Sequence, residues 1–346
     1  MSGVEPSPGK PRLKGIRAVA RHAGVSIATV SRALNSPDSV STELRGRITQ
    51  AVKSVGYIPQ ATARALSTRR TRTFGAIVPT IDNTMFARGI AALQEYLSSV
   101  GYMLFLTTSG YDLDAELQQA RNLVSRGVDG LVLRGDCHHD ALREMLAEHD
   151  IPFINVGVYR PDRPYPCIGT NNEAAAHRAA THVIELGHRR IGIVSALQRN
   201  NDRASARVAG FRRAFAEAGI EVPPQWVVEV PYTLDDAREA ARHLLNLEQR
   251  PTAVVCGNDV IAYGVLLEAE RSGFSVPRDL SVVGFDDLDW SRHLRPSLTT
   301  IQVPTALTWQ RAGEYLVRHL AGENIIKHHE VDFCLVVRES TAPPRR

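Results

Sequence analysis

Arg32 is the residue of this chain best equipped to read a nucleic acid. It lies in the run Ser26-Ile27-Ala28-Thr29-Val30-Ser31-Arg32-Ala33-Leu34-Asn35. A guanidinium can fork onto the O6 and N7 acceptors of guanine, the commonest specific base contact. Ile27 and Ala28 carry no polar group, so they can read only thymine methyls or groove shape. The hydroxyls of Thr29 and Ser31 suit phosphate oxygens, as does a helix N-terminus. Ser26 and Asn35, at the two ends of the run, join them as major-groove or phosphate candidates. A second cluster, Asp136-Cys137-His138-His139-Asp140, has the residue types of a metal site. Adjacent histidines on a regular element cannot both face one ion, so a polar loop opening a helix fits better. His328-His329 is weaker still. No P-loop, GxSxG, HExxH or helix-opening GxGxxG occurs. Neither catalysis nor a cofactor is expected.

The elements that must position Arg32 are short helices. Ile16, Val19, Ala20 and Ala23 fall on one helical face, and Gly24 ends that helix. Ser26 is placed to cap the next one, with Val25 and Val30 at hydrophobic-staple spacing. Ala33 and Leu34 continue the inward face, leaving Ile27, Ala28, Thr29, Ser31 and Arg32 off it. Ser41 can cap a third helix with the stripe Leu44, Ile48, Ala51, Val52, Val55, closed by Gly56. Helix, tight turn and capped helix in about twenty residues form a helix-turn-helix pattern. The alternative, a purely structural bundle with a solvated Arg32, has the same periodicity.

From Phe74 onward short β-branched runs alternate with long amphipathic helices. Strands are expected at Gly75–Pro79, Met103–Thr107, Gly130–Leu133, Phe153–Val158, Ile191–Ser195, Val227–Val230, Ala253–Cys256 and Ser281–Phe285. Helices are expected at Phe86–Val100, Leu113–Arg126, Ala174–Leu186, Ala204–Ala218, Asp235–Asn246 and Val260–Ser272. Such alternation means parallel sheets with right-handed crossovers. It exceeds one open sheet, so two α/β lobes are expected, with a ligand cleft between them. The expected division is a disordered tail at 1–14, a helical head at 15–59, a linking segment at 60–73 and a body at 74–346. Within the body one lobe takes about 74–171 with 304–331, the other about 172–303 with 332–346.

Composition agrees with a globular chain. Of 346 residues, 43 % are hydrophobic and 23 % charged, which excludes a disordered or fibrous protein. No apolar run approaches the length of a membrane span. The first fourteen residues lack an apolar core, so no secretory signal is expected. Four scattered cysteines offer no CxxC pair. A cytoplasmic, reduced protein without membrane association follows. The charge is lopsided: residues 1–73 hold thirteen Lys/Arg against three Asp/Glu, whereas the remainder is net acidic. A basic head on an acidic body points to a polyanionic partner for the head.

The run Ile16-Arg17-Ala18-Val19-Ala20-Arg21-His22-Ala23-Gly24-Val25-Ser26-Ile27-Ala28-Thr29-Val30-Ser31-Arg32-Ala33-Leu34-Asn35 closely resembles the DNA-binding signature of the LacI/GalR repressor family. Gly56-Tyr57-Ile58-Pro59-Gln60-Ala61-Thr62-Ala63-Arg64-Ala65-Leu66 resembles its hinge helix. The likeness continues through Val128-Asp129-Gly130, Gly187-His188-Arg189-Arg190-Ile191, Arg207-Val208-Ala209-Gly210-Phe211 and Val282-Val283-Gly284-Phe285-Asp286. The body motifs are less specific than the head, because periplasmic sugar-binding proteins share the fold. The implied fold is α/β: a helix-turn-helix three-helix head plus a two-lobed, periplasmic-binding-protein-like parallel α/β effector domain. Ala18 stands where the family usually has Asp, and Gln60 where the hinge usually has Asn.

The resemblance implies a hinge that folds only when two subunits lie side by side on an operator. Ala63, Arg64 and Leu66 would then meet the minor groove, with Leu66 wedged into a base step. It also implies effector contacts. Arg207 matches a cleft arginine that grips hydroxyls or an anionic group. Asp286 matches a cleft carboxylate for sugar hydroxyls, and Tyr232 an aromatic ring that stacks on the effector. Met85 and Phe86 match the contact region of the first lobe. Asn258 and Asp259 follow the strand Ala253–Cys256, at the strand end where α/β sites form. Asp82, Asp136 and Arg160 are candidates by loop position only. Structural readings stand beside these: Asp286 or Asp259 can cap a helix, Arg207 can form a surface ion pair, and Phe86 can be core. Thr108-Ser109-Gly110-Tyr111-Asp112 looks like gluconate-type regulators of the family, which suggests a sugar acid.

The expectation is a transcription regulator, most simply a repressor, that binds a palindromic operator in double-stranded DNA as a homodimer. A sugar or sugar acid between the lobes would control it. A solute-binding protein would share the lobes but need no basic helical head. A sugar-active enzyme would need a nucleophile or an acid/base pair, and none is evident. Nothing at the C-terminal end resembles a leucine-heptad tail, so a tetramer of that kind is not expected.

Overall fold

The computed structural model describes residues 15–35, 37–58 and 70–345. The chain divides into two compact units, Met1–Thr71 and Arg72–Arg346.

In the first unit, α1 (Ile16–Ala23), α2 (Ile27–Asn35), a 3-10 turn at Pro37–Ser39 and α3 (Thr42–Val55) follow in order. Gly24 ends α1 in the left-handed region at φ 64°. A residue with a Cβ adopts that conformation reluctantly, so the tight turn into α2 requires glycine. The Ser26 hydroxyl accepts from the Thr29 amide at 3.1 Å, and Ser41 accepts from the Leu44 amide at 3.3 Å. Both are N-caps that satisfy otherwise unpaired amides. α1 has neither a side-chain cap nor an acidic residue in its first turn. Val19, Ala20, Ala23, Val30, Ala33, Ile48 and Ala51 form the buried core. Four of these seven are alanine, so the bundle's hydrophobic stabilisation is small.

The second unit alternates strand and helix. Its first part runs β1 (Thr73–Val78), α4 (Thr84–Ser99), β2 (Met103–Thr108), α5 (Leu113–Ser125), β3 (Gly130–Arg134), α6 (Asp140–Glu148), β4 (Phe153–Val156) and β5 (Cys167–Gly169). There follow α7 (Asn172–Glu185), β6 (Ile191–Ala196), α8 (Asp202–Glu217), β7 (Val227–Val230), α9 (Leu234–Leu245), β8 (Ala253–Cys256), α10 (Asp259–Arg271) and β9 (Ser281–Asp286). The chain ends with β10 (Thr299–Gln302), α11 (Thr305–Leu320), β11 (His328–Glu330) and β12 (Cys334–Val336).

These strands build two six-stranded sheets, ordered β11-β5-β4-β3-β1-β2 and β12-β10-β9-β8-β6-β7. The first sheet is parallel throughout, and in the second only β12 runs antiparallel, against β10. Helices cover both faces, so the central strands are buried end to end, as in β1, β6, β8 and β9. β2 lies at an edge and is largely exposed. The chain passes between the sheets after β5, after β10 and after β11. Four strands, β5, β10, β11 and β12, have no counterpart in the sequence periodicity. Each is a short segment of three or four residues outside the strand–helix alternation, paired to a neighbouring strand. Among the described residues, no helix is long and apolar enough to cross a membrane.

Candidate nucleic-acid face and interlobe cleft

On the head, α2 buries Val30 and Ala33 and leaves Ile27, Ala28 and Arg32 exposed. Ile27 is 43 % exposed. Thr29 and Ser31 are half-buried at the edges of that face. The Ser26 and Thr29 hydroxyls lie 2.8 Å apart, and Asn35 Nδ2 donates to the Ser31 hydroxyl at 3.2 Å. The seven residues thus form one strip: an apolar and guanidinium centre flanked by hydroxyls. Ala63, Arg64 and Leu66, and Gln60 with them, lie outside the described residues.

In the body, the two lobes enclose a cleft of about 530 Å³. Thr80, Asp82, Asn83 and Tyr111 line it from the first lobe, and Leu197, Asn200, Asn201 and Tyr232 from the second. The Tyr111 and Tyr232 rings stack across it with centroids 6.3 Å apart. Asn200 Nδ2 donates to the Tyr111 carbonyl at 3.0 Å, and Asn201 Nδ2 to the Tyr232 hydroxyl at 3.3 Å. Tyr111 itself has φ 63°, a conformation sparsely used by non-glycine residues and concentrated at functional sites. Burial, with Tyr232 beside it, holds its phenol well above the usual tyrosine range. Two aromatic faces, an exposed Leu197 and several amides can hold a molecule with both apolar and hydroxylated surfaces.

Deeper in, charged side chains meet where the lobes touch. Arg207, on α8, donates from Nε to Asn172 Oδ1 at 3.0 Å and from Nη1 to the Gly257 carbonyl at 2.6 Å. Its Nη2 reaches Asp286 Oδ1 at 3.4 Å, and its guanidinium carbon lies 3.7 Å from the Phe285 ring centroid. Asp286 ends β9 at φ 110°, and Asp287 follows at φ 51°. Asp287 is held there by Arg338 at 2.7 Å and Gln302 at 2.8 Å. Burial raises the Asp286 carboxyl above its ordinary pKa, against the pull of Arg207 and Arg134. Asn172 Nδ2 in turn donates to the Gly157 carbonyl of the first lobe at 2.9 Å. Arg203 Nη1 donates to the Arg134 carbonyl at 3.1 Å, and the Asp136 amide donates to Asp202 Oδ2 at 2.8 Å.

The structure separates the expected effector residues into groups. Tyr232 lines the open cleft, and so does Asp82. Arg207 and Asp286 are brought together, buried, as an ion pair rather than on the surface. Asn258 is fully buried and caps α10 through its Oδ1 on the Ile261 amide at 2.9 Å, while its Nδ2 has no partner. Met85 and Phe86 are core residues, 4 % and 1 % exposed, packed with Leu93 and Trp309. In this structure both are packed in the core of the first lobe, with the Arg134 guanidinium 5.7 Å from the Phe86 ring centroid. Asp259 has a structural role as well. It is fully buried and accepts from the Leu288 amide at 2.8 Å and the hydroxyls of Ser291 and Thr300, both at 2.6 Å. Its carboxylate ties the loop after β9 to α10. Burial pushes its pKa up to about 7, opposed by the Ser291 and Thr300 hydroxyls and reinforced by Asp286. Asp136 pairs with Arg143 at 3.6 Å and accepts from Asn155, and Arg160 pairs with Asp162 at 2.8 Å.

The Asp136–Asp140 cluster diverges. His138 is buried, with Nδ1 2.8 Å from Glu116 and Nε2 3.2 Å from Asn155. His139 instead caps α6, accepting from the Ala141 amide at 3.1 Å.

Sequence reasoning missed Arg134 and Arg203. Both carried a signal. Arg134 ends a buried apolar strand, Gly130-Leu131-Val132-Leu133-Arg134, with a cation. Arg203 places a cation in the first turn of α8, where the helix dipole disfavours it. Residues that break a local rule this way are candidates for function.

A helix-turn-helix head followed by two α/β lobes with a cleft between them is the architecture of a DNA-binding regulator with a ligand-binding domain. The comparisons agree. Residues 15–60 match the family described as bacterial regulatory proteins, lacI family, and residues 71–329 match the periplasmic binding proteins and sugar binding domain of the LacI family. The transcriptional repressor PurR of Aliivibrio salmonicida is 32 % identical over 317 residues, covering 91 % of this chain and 93 % of its own. The transcriptional repressor CytR of Escherichia coli is 32 % identical over 328 residues, covering 94 % and 96 %. Among solved structures, the transcriptional regulator CelR in complex with cellobiose has a TM-score of 0.70 at 29 % identity, covering 94 % of this chain and 99 % of that one. The lac repressor dimer bound to operator and the anti-inducer ONPF shares the fold, with a TM-score of 0.84 at 24 % identity, covering 94 % and 98 %. The chain belongs to the LacI family of DNA-binding transcriptional regulators, which are not enzymes.

Proposed function

We propose that this chain is a cytoplasmic repressor that binds a palindromic operator as a homodimer, released or tightened by a small polar effector in the interlobe cleft. The observation that carries the reading is the exposed strip on α2: Ile27, Ala28 and Arg32 stand in solvent while Val30 and Ala33 fill the core. One such strip offers few base contacts, and a two-fold pair doubles them on a near-palindrome. Ser26, Thr29, Ser31 and Asn35 take phosphates beside it. In the linking segment, Ala63, Arg64 and Leu66 are assigned to the minor groove on the resemblance alone.

Tyr232, Arg207 and Asp286 are assigned to the effector, with Asn258 behind them. Asn83 and Asn258 each keep a buried, unpartnered amide nitrogen, and Asp286 an unpartnered carboxylate oxygen. Buried polar atoms are normally bonded, so this set favours a hydroxylated ligand. Such a ligand touches both lobes, which lets it bias their closure and hence the spacing of the paired heads; by linkage, DNA biases ligand affinity equally.

The test is a mobility shift with palindromic fragments selected from a random pool, titrated at several salt concentrations. Sequence preference with a steep salt dependence is expected, and size-exclusion chromatography should give a dimer. A monomer without preference among duplexes sinks the reading.

A further inference from the structure

We propose that the effector of this chain carries an anionic group, a carboxylate or a phosphate, seated between Arg134 of the first lobe and Arg203 of the second. The proposal rests on the interlobe effector site and adds the charge of what fills it.

Arg134 is the anomaly. Its Nη1 donates to the Val156 carbonyl at 3.0 Å, and its guanidinium lies 5.7 Å from the Phe86 ring centroid. Its Nε is buried without a partner. Among the described residues it makes no ion pair with a carboxylate. Burial, then Arg203, pull it down to about 9, with Arg207 adding to the effect and Tyr111 and Asp286 opposing it. The local acids have their close partners elsewhere, although Asp286 keeps one oxygen unpartnered. Asp202 pairs with Arg203 at 2.6 Å, Asp286 with Arg207, and Asp259 with Leu288, Ser291 and Thr300.

The backbone is shaped around these cations. A Cβ on Gly157 would fall 1.3 Å from Arg134 Nη1, and one on Gly135 would fall 1.7 Å from Arg203 Nη1. Both glycines also have positive φ, 80° and 88°. Holding an unpaired guanidinium in a dry site is costly unless an acceptor arrives. Guanidinium forks match carboxylate and phosphate oxygens in geometry and charge. Arg134 and Arg203 also line a small inner chamber of about 10 Å³, which shares Tyr111 and Asn200 with the open cleft. That is room for about one water, so an anion enters as the lobes part and then draws them together by supplying the counter-charge that Arg134 lacks, beside the Asp202-paired Arg203.

The test is thermal shift and calorimetry on the full chain in buffer free of sulfate and phosphate. The probes are D-glucose, D-gluconate and D-glucose 6-phosphate at matched ionic strength. Stabilisation by gluconate or by the phosphate ester, not by glucose, is expected, and whichever acts identifies the anion. Arg134→Met should bind that probe about 10- to 100-fold more weakly, whereas Arg134→Lys should keep part of the preference. Arg134→Lys also guards against a variant that fails to fold. An equal shift from glucose overturns the anion while leaving the effector site standing. Unchanged anion affinity in Arg134→Met, or no shift from either anion, also overturns it. Operator binding, assayed in parallel, decides separately whether the regulator reading holds.

Discussion

The head and the body use side chains in opposite ways. The head puts the residues proposed to read DNA in water, on one face of one helix, over a core made largely of alanine. The body buries the residues proposed to hold its effector: Arg203, Arg207 and Asp286 are each at most 5 % exposed. In water a charge is cheap to hold and weak as a recognition element until a partner excludes solvent. In the cleft it is expensive to hold and already preorganised. Substitution should therefore separate stability from recognition in the head and couple them in the body.

Arg207→Ala should give the largest effect. It strands the buried Asp286 carboxylate, so the body should lose about 3–5 kcal/mol in chemical denaturation together with its effector response. A cost near zero would mean that the cleft charges are as well solvated as those of the head. Arg32→Ala should shift stability by less than about 0.5 kcal/mol yet cost about 1–3 kcal/mol of discrimination between operator and scrambled duplex. Loss of stability on the same scale as discrimination would erase the contrast.

A pH series sharpens it further. The folded Asp259 carboxyl, at about 7, lies above its unfolded value of about 3.9. Between those values the folded chain binds more protons, so stability should fall as pH rises through the window and level off above it. Asp286, also raised by burial, contributes in the same direction. Melting temperatures across that range should show the decline in the body, and Asp259→Asn should flatten part of it. A slope of opposite sign would place other groups in control. The smallest effect belongs to the head: Ala18→Asp supplies the missing first-turn acid of α1 and should slow amide exchange there by about 0.3–1 kcal/mol.

How much of this was legible differs between the two units for a physical reason. Ser26, Ile27, Ala28 and Arg32 lie within two helical turns, so a 3.6-residue period and a cap residue locate both the element and its outward face. In the body, the strand–helix rhythm revealed most elements and two lobes, but not β5, β10, β11 and β12. Asp259 and Phe86 stood at plausible strand ends and helix starts, and their side chains turned inward. Arg134 and Arg203, 69 positions apart, meet only because two lobes close on each other.

What the sequence alone determined is whatever local periodicity and charge can encode: a basic helical head, the outward face of its second helix, and an α/β body of two parallel sheets. What only the tertiary structure decided is which buried charges find partners. Pairing depends on contacts between segments far apart in the chain, and burial makes each such contact decisive by removing the water that would otherwise satisfy the charge.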